Sequence, residues 1–417
     1  MSFEKSFIEE RENMLKGVSI EEGLQMIVDH LGCVGKEMVP AADACGRVLA
    51  ENLISPENIP PFRRSPLDGY AFRAEDTADA SPEKPVVFEI IEEIPAGKAP
   101  EHTVGAMQAV KILTGAPVPE GADAIEKYEV VEADEKTLRL THPYRKNCNV
   151  VPVGEDIRQG ASVLSEGTVI SPAYLGILAG LGFDRIPVYK KPQVTLISTG
   201  SELVPIDAPI PLGKIRNSSI YTLKAFLEAN GARVKMMPIV PDDADLIAQA
   251  VDSACLESDL VFTTGGVSVG DYDMLQKSME ILHADVLFWK MQMKPGGAFL
   301  ASCHRGKPVI SLSGNPSAAA MACFMIGIPV LRKLGGRKEY ELERCQIRIL
   351  EGFSKKSFVR RFLPGKLVIR DGEAYISVTP SQGNGILHPL HGCNVIAEIP
   401  QGSPTMEPGT LVKGYVL

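Results

Sequence analysis

The sequence predicts a multidomain protein of mixed α/β and β class: a central parallel α/β domain, a small inserted β domain, an N-terminal helical region and a C-terminal β barrel. Three observations carry this expectation. Across 191–337 continuous apolar strands alternate with helices, the pattern of a parallel sheet covered on both faces. Across 56–145, and again across 338–417, short strands are separated by turns. Segments 1–55 and 146–190 have helical spacing, which makes 56–145 an insertion between them.

Taken in order, residues 19–31 (SIEEGLQMIVDHL) put Ile20, Leu24, Ile27 and Val28 on one helical face, with Ser19 as cap. Residues 52–64 hold three prolines and read as a junction loop. VVFEIIEEI, AVKIL and AIEKYEVVE are the strands of the insertion, and 154–183 returns to a helical pattern. In the central domain PQVTLIST, ARVKMMPIV, DLVFTTGG, VLFWKM, AFLAS and PVISLS are strands. NSSIYTLKAFLEANG, DADLIAQAVDSACLE, a short segment from Asp273 and NPSAAAMACFMIGIPVLRKLGG are its helices. CQIRIL, KLVIR, AYISVTP, NVIAEI and TLVKGYVL supply the last domain, whose short alternating strands suit a small barrel or a sandwich.

A chain of 417 residues holds about two to four domains at ~150 residues each. Its eight cysteines are scattered, with no CxxC, and read as reduced thiols of a cytoplasmic protein. The start, MSFEKSFIEERENML, has no apolar signal core. The longest apolar run, Ala318 to Leu331, contains Pro329 and is shorter than the ~18 residues of a membrane span. The net charge of -9 argues against nucleic acid as a partner, though local lysines can still receive an anionic small molecule.

Ligands of parallel α/β sheets bind beyond the carboxyl ends of the strands. Those ends carry Ser198-Thr199-Gly200 followed by Glu202, the pair Asp242-Asp243, the run Gly265-Gly266-Val267-Ser268-Val269-Gly270 with Asp273 after it, and Ser313-Gly314-Asn315-Pro316. Glycine lets backbone amides approach an anion, hydroxyls add donors, and a helix start adds partial positive charge. One Gly-rich turn is usually just a turn; two in one sheet point to a phosphate or a phosphorylated heterocycle. The acids are either helix N-caps, the favoured reading for Asp242 and Asp243, or carboxylates that need Mg²⁺ between them and the phosphate. Lys290 and Lys294 flank one strand end and can bracket an oxyanion. In the insertion, PPFRRSPLDGYA presents arginine, aspartate and tyrosine together, and TGAPVP and GEDIR are further turns; for each of the three, physics alone favours an ordinary turn. The seven histidines lack metal-ligand spacing, and no GxSxG or Cys/His arrangement stands out.

PPFRRSPLDGYAF, TGAPVPEGADAI, GEDIRQG, STGSEL, TTGGVSVGDYD, FWKMQMKPG and SGNPSAAA stand in the order seen in molybdopterin molybdenumtransferases and the E domain of gephyrin. The chain resembles that family over essentially its whole length. The resemblance implies Mg²⁺-dependent insertion of molybdate into adenylylated molybdopterin with release of AMP. It also implies an elongated homodimer with active sites between subunits, and contact with the molybdopterin adenylyltransferase. By motif it assigns Asp68, Thr114, Asp156, Glu202, Asp242 (or Asp243, one register on), Asp273, Lys290, Lys294 and Arg360 to catalysis, with Glu202 and Asp273 on the metal and with the two lysines and Arg360 attracting molybdate. The sequence departs from the family pattern at Asn217 (usually aspartate), Gly297 (usually lysine), Ser313 (usually proline) and Asn384 (usually serine). Two alternatives remain open: a paralogue that holds molybdopterin or a protein partner without inserting metal, and a transferase that uses tungstate.

Overall fold

The computed structural model describes residues 17–267, 274–379, 383 and 385–417. Its helices are α1 (Ile20–Val28), α2 (Pro172–Gly180), α3 (Ser219–Ala229), α4 (Ala244–Glu257), α5 (Met274–Ile281) and α6 (Pro316–Leu334). Helix α1 begins as its sequence dictates. The Ser19 hydroxyl accepts from Glu22 N at 3.2 Å, and the Glu22 carboxylate accepts from Ser19 N at 3.0 Å, closing a capping box.

Ile20, Leu24 and Ile27 of α1 bury among Phe262, Phe288 and Met325 of the central α/β core. This corrects the expectation that α1 joins 146–190 in a helical domain. What 146–190 packs on is 36–54: Leu49, Leu53, Leu164, Leu178, Ile186 and Val188 form a separate small core. That unit is mostly strand and turn. Lys36–Pro40 pairs with Arg185–Tyr189, and Leu53–Ile54 with Ser162–Leu164. Of the helical pattern over 154–183 only the nine residues of α2 are α-helix. Gly154, Gly160, Gly167 and Gly182 take positive φ and turn the chain instead.

The insertion is a six-stranded sheet in the order Ala124–Lys127, Gly69–Phe72, Gln108–Ile112, Val86–Ile94, Thr137–Leu140, Glu132–Ala133. Gly69–Phe72 sits inside the sheet, all four residues buried. A strand buried on both faces has no alternation to betray it, so the sequence reads as part of a loop.

The central sheet runs Arg233–Met236, Gln193–Ser198, Leu260–Thr264, Lys307–Leu312, Phe299–His304, Asp285–Trp289. The first four strands are parallel; the last two are joined in antiparallel fashion. Helix α6 is 19 residues long, within the predicted NPSAAAMACFMIGIPVLRKLGG, and apolar enough to cross a membrane by length and composition, but 89% of its most apolar 18-residue window is buried within the fold as a core helix. In the last domain Arg360–Arg370, Glu373–Val378, Arg344–Ile349, Leu411–Val416 and Val395–Ile399 pair in sequence, and the pairing of 361–365 with 395–399 closes a five-stranded barrel. Met293–Lys294 adds to it in parallel, Met293 opposite Arg360, which ties the barrel to the central domain.

Candidate functional site

The carboxyl ends of three adjacent central strands meet. Thr199 N donates to Thr264 O at 2.8 Å, Gly265 N donates to Leu312 O at 3.1 Å, and the Thr264 hydroxyl donates to Ser198 Oγ at 3.2 Å. The packing permits nothing larger than glycine at 265. A Cβ there would stand 2.1 Å from Thr199 O, and the residue has φ +92°. Gly314 lies against it from the third loop, its Cβ position 3.3 Å from Gly265 Cα. Asn315 N donates to Ser313 Oγ at 3.2 Å, and α6 starts at Pro316 with no side-chain cap on its amides. Three loops and an open helix start therefore converge on one spot, the arrangement that receives an anion.

Glu202 reaches the same spot. Its carboxylate folds over Gly200, whose Cβ position is 2.6 Å from Glu202 Oε2, and it lines a small cavity with Thr199, Asn217, Thr264, Gly314 and Pro316. The loop bearing it is fixed from both sides. Ser201 N donates to Asp242 Oδ2 at 2.8 Å, and the Lys214 ammonium donates to Ser201 O. Asp243 caps α4 by accepting from Leu246 N at 2.9 Å. The one-residue ambiguity thus separates into two jobs: Asp243 is the helix cap, and Asp242 holds the Glu202 loop. A mainly apolar cavity of about 610 Å³ adjoins these loops, with Gly200, Ser201, Asn217, Tyr221 and Met237 in its wall. Sequence reasoning marked Asn217 only as a departure from the family pattern and gave neither it nor Thr264 a role in the site. Asn217 is only 6% exposed at the start of α3, and an uncharged polar side chain before a helix gives no signal beyond capping. Ser268, Gly270, Asp273 and Asn384 lie outside the described residues.

A second cluster lies in the insertion. Asp68 Oδ1 accepts both Thr114 N at 2.6 Å and the Thr114 hydroxyl at 2.7 Å. The backbone donor first, then the hydroxyl, hold the Asp68 carboxyl below the ordinary carboxylate range. Tyr70 and Arg63 do not join it, contrary to the trio the loop sequence offered. Tyr70 is 7% exposed within the sheet core, and Arg63 donates to the carbonyls of Ala122 and Pro119 at 3.3 Å each. Asp156 N donates to Ile59 O at 3.0 Å, and Gly154 N to Pro60 O at 3.0 Å, so the 154–158 turn is fastened against the cis Ile59-Pro60 bond.

Lys290 and Lys294 flank the Met291–Met293 turn. Lys290, at φ +69°, lies 5.5 Å over the Trp289 ring. Next to them, Gly297 is where it is by necessity. A Cβ would meet Met293 O at 2.7 Å and Met291 O at 2.9 Å, so a lysine at this position requires a different turn. Arg360, expected to attract an oxyanion, serves an ion-pair network instead. Its guanidinium donates to Glu21 Oε2 at 2.6 Å, Glu21 Oε1 at 3.0 Å and Glu398 Oε1 at 2.9 Å, while Tyr415 donates to Glu398 at 2.6 Å. Two carboxylates compensate its charge and leave none for a dianion.

Arg360→Gln is accordingly expected to destabilise the protein by about 3 kcal/mol, as breaking a largely buried pair does, with little effect on the oxyanion requirement. Denaturant unfolding measures it. The hydrogen bond from Arg360 lowers the Glu21 pKa from its ordinary 4.5. A depressed carboxylate stabilises above its unfolded pKa and loses that stabilisation as pH falls through the folded value. The Arg360→Gln penalty should therefore be full near neutrality and shrink below about pH 4.5.

Models of three regions match the chain: the MoeA N-terminal region (domains I and II) over residues 18–182, the probable molybdopterin binding domain over 195–333, and the MoeA C-terminal region (domain IV) over 346–417. The molybdopterin molybdenumtransferase of Staphylococcus aureus strain Mu50 is 33% identical over 395 residues, which span 95% of this chain and 94% of that protein. The chain belongs to the molybdopterin molybdenumtransferase family. Its relative from Staphylococcus epidermidis strain RP62A is likewise 33% identical, over 397 residues covering 95% and 94% of the two chains. The crystal structure of the molybdopterin biosynthesis MoeA protein from Pyrococcus horikoshii OT3 matches with a TM-score of 0.82 at 29% identity, covering 96% of this chain and 100% of that one. Membership in the molybdenumtransferase family makes the chain a transferase of molybdenum cofactor biosynthesis.

Proposed function

We propose that this molybdenumtransferase-family chain inserts molybdate into adenylylated molybdopterin with the help of Mg²⁺ and releases AMP. The supporting observation is the meeting of Thr199, Gly265 and Gly314 at the open start of α6, with Glu202 beside them. Backbone amides there can hold a phosphate, and the apolar cavity alongside suits a flat heterocycle. Among the described residues no three His, Cys, Asp or Glu side chains gather to cage a metal. Mg²⁺ asks for less: one or two carboxylates plus substrate phosphates, which Glu202 and a phosphate on these loops provide. When bound, the ion would polarise the phosphoanhydride. Lys290 and Lys294 draw the oxyanion toward that end of the sheet. The test is turnover of adenylylated molybdopterin with molybdate or tungstate, followed by AMP. Pterin binding without AMP release for either anion would leave a binding protein in place of the transferase.

Lys294→Ala should raise the molybdate concentration needed for half-maximal AMP release by about tenfold or more, since a charge-assisted contact contributes about 1.5–3 kcal/mol. Binding of the adenylylated pterin should change little. If pterin binding is lost and the molybdate requirement stays, the lysine serves the phosphate.

Among the described residues no hydrogen bond or ion pair joins the Asp68–Thr114 cluster to the strand-end loops. We therefore propose a homodimer in which the insertion of one copy completes the site of the other, in the cytoplasm, supplied by the molybdopterin adenylyltransferase. Sedimentation at micromolar concentration should give a dimer; an active monomer would refute this.

A further inference from the structure

The edge of the central sheet opposite the strand-end loops carries a second cavity, of about 410 Å³. Its walls are the turn at Cys45–Val48, the stretch from Tyr189 to Pro192 that enters the first central strand, and the carboxyl ends of α3 and α6. Five cationic side chains line it: Arg47, Lys190, Lys191, Arg332 and Arg337. Glu228 is the one carboxylate among its described lining residues, and it is paired with Lys224. Arg47 is answered by Glu37 at 2.5 Å. The other four cations form no ion pair with any described carboxylate.

This concentration needs a reason in a chain of net charge -9, which has acids to spare for pairing. Arg332 is half-buried and spends two donors on neutral oxygens, Nε on Asn230 Oδ1 at 3.1 Å and Nη1 on Glu341 O at 3.4 Å. Burial first, and then the neighbouring Arg337, push its pKa down to about 10. Cations gathered without a counter-charge repel one another, and desolvation adds to that cost.

We propose that this cavity binds a small oligophosphate. Guanidinium forks match phosphate oxygens in pairs, and lysines add point charge. Three cations with no carboxylate beside them, and Lys190 sharing Glu37 with Arg47, call for several negative charges, more than one monoanion brings. The volume is that of a small-molecule site and accepts pyrophosphate or the phosphate tail of a nucleotide. The site is separate from the strand-end loops. Pro192 lines it, Thr199 belongs to the other site, and the six residues of Gln193–Ser198 between them span roughly 20 Å.

The test is calorimetric titration of the intact protein with pyrophosphate at low ionic strength, comparing wild type with Arg337→Gln, Lys191→Gln and the double variant. Each substitution should weaken binding about tenfold and the pair about a hundredfold, one decade for each lost charge-assisted contact. AMP release should match wild type, because neither side chain belongs to the substrate site, and thermal unfolding should come at the same or a slightly higher temperature, because each substitution removes a like-charge repulsion. The proposal is overturned if wild type binds no pyrophosphate, or if the double variant binds it as tightly. Sulfate binding as tight as pyrophosphate would overturn the oligophosphate class.

Discussion

Glu202→Gln is expected to slow AMP release from adenylylated molybdopterin by about a hundredfold at fixed Mg²⁺, the usual order for removing one preorganised electrostatic group from a reacting phosphate or acyl centre. The carboxylate reaches the cavity formed by Thr199, Thr264 and Gly314, and its loop is fastened by Asp242 and Lys214. Among the described residues it has no hydrogen bond or ion pair of its own, so its charge is not needed to hold the fold. A carboxylate next to a phosphate is repulsive unless a cation lies between them. The variant should fold as wild type and bind the pterin, yet need more Mg²⁺ for the same rate. A titration of rate against Mg²⁺ separates the cases: a variant with unchanged rate and unchanged Mg²⁺ dependence would remove Glu202 from the mechanism.

Gly265→Ala should be the most damaging small substitution at the site. Two costs add. The left-handed backbone at φ +92° penalises any Cβ by about 1–2 kcal/mol. The new carbon would also lie 2.1 Å from Thr199 O and 2.8 Å from Thr199 Oγ1, and a main-chain oxygen cannot step aside without moving the strand end. Overpacking of this kind adds about 1–3 kcal/mol. A total near 3 kcal/mol lowers the melting temperature by roughly 6–12 °C, and the displaced loop should lose phosphate binding besides. Gly176→Ala makes the control. That glycine is in α2 with nothing within 4 Å of its Cβ position, so alanine should leave stability equal or slightly higher. Calorimetric melting of the two variants side by side decides the matter, since equal melting temperatures would mean that the close approach at Gly265 relaxes freely.

The legible parts of this chain were those where local pattern and tertiary role agree. Helix α1 lies within the segment its spacing marks out, and the central and barrel strands overlap theirs, because core packing and local propensity there demand the same residues; the exception in length is Arg360–Arg370, which begins six residues before the predicted KLVIR. The meeting of the strand-end loops was legible because a parallel sheet gathers the carboxyl ends of its strands, and Gly-rich turns after two of them marked the place. What escaped is non-local. Nothing in IEEGL says that Ile20 and Leu24 belong with Phe262 and Phe288 rather than with their sequence neighbours. Arg360 reads as an anion ligand until Glu21, far away in sequence, is found on its guanidinium. Gly297 reads as a lost lysine until the carbonyls of Met291 and Met293 are found pressed against it.

The placement of α1 bears on how the protein is made. Residues 20–28 leave the ribosome long before their partners, which extend through Phe288 and Met325 to the end of α6 at Leu334. At about 5–20 residues per second, the roughly 300 intervening residues take some 15–60 s to synthesise. Throughout that interval the nascent amphipathic segment has an apolar face and no native surface to cover it, while the insertion behind it can complete its own sheet. The central domain closes only when its first-made and last-made pieces meet.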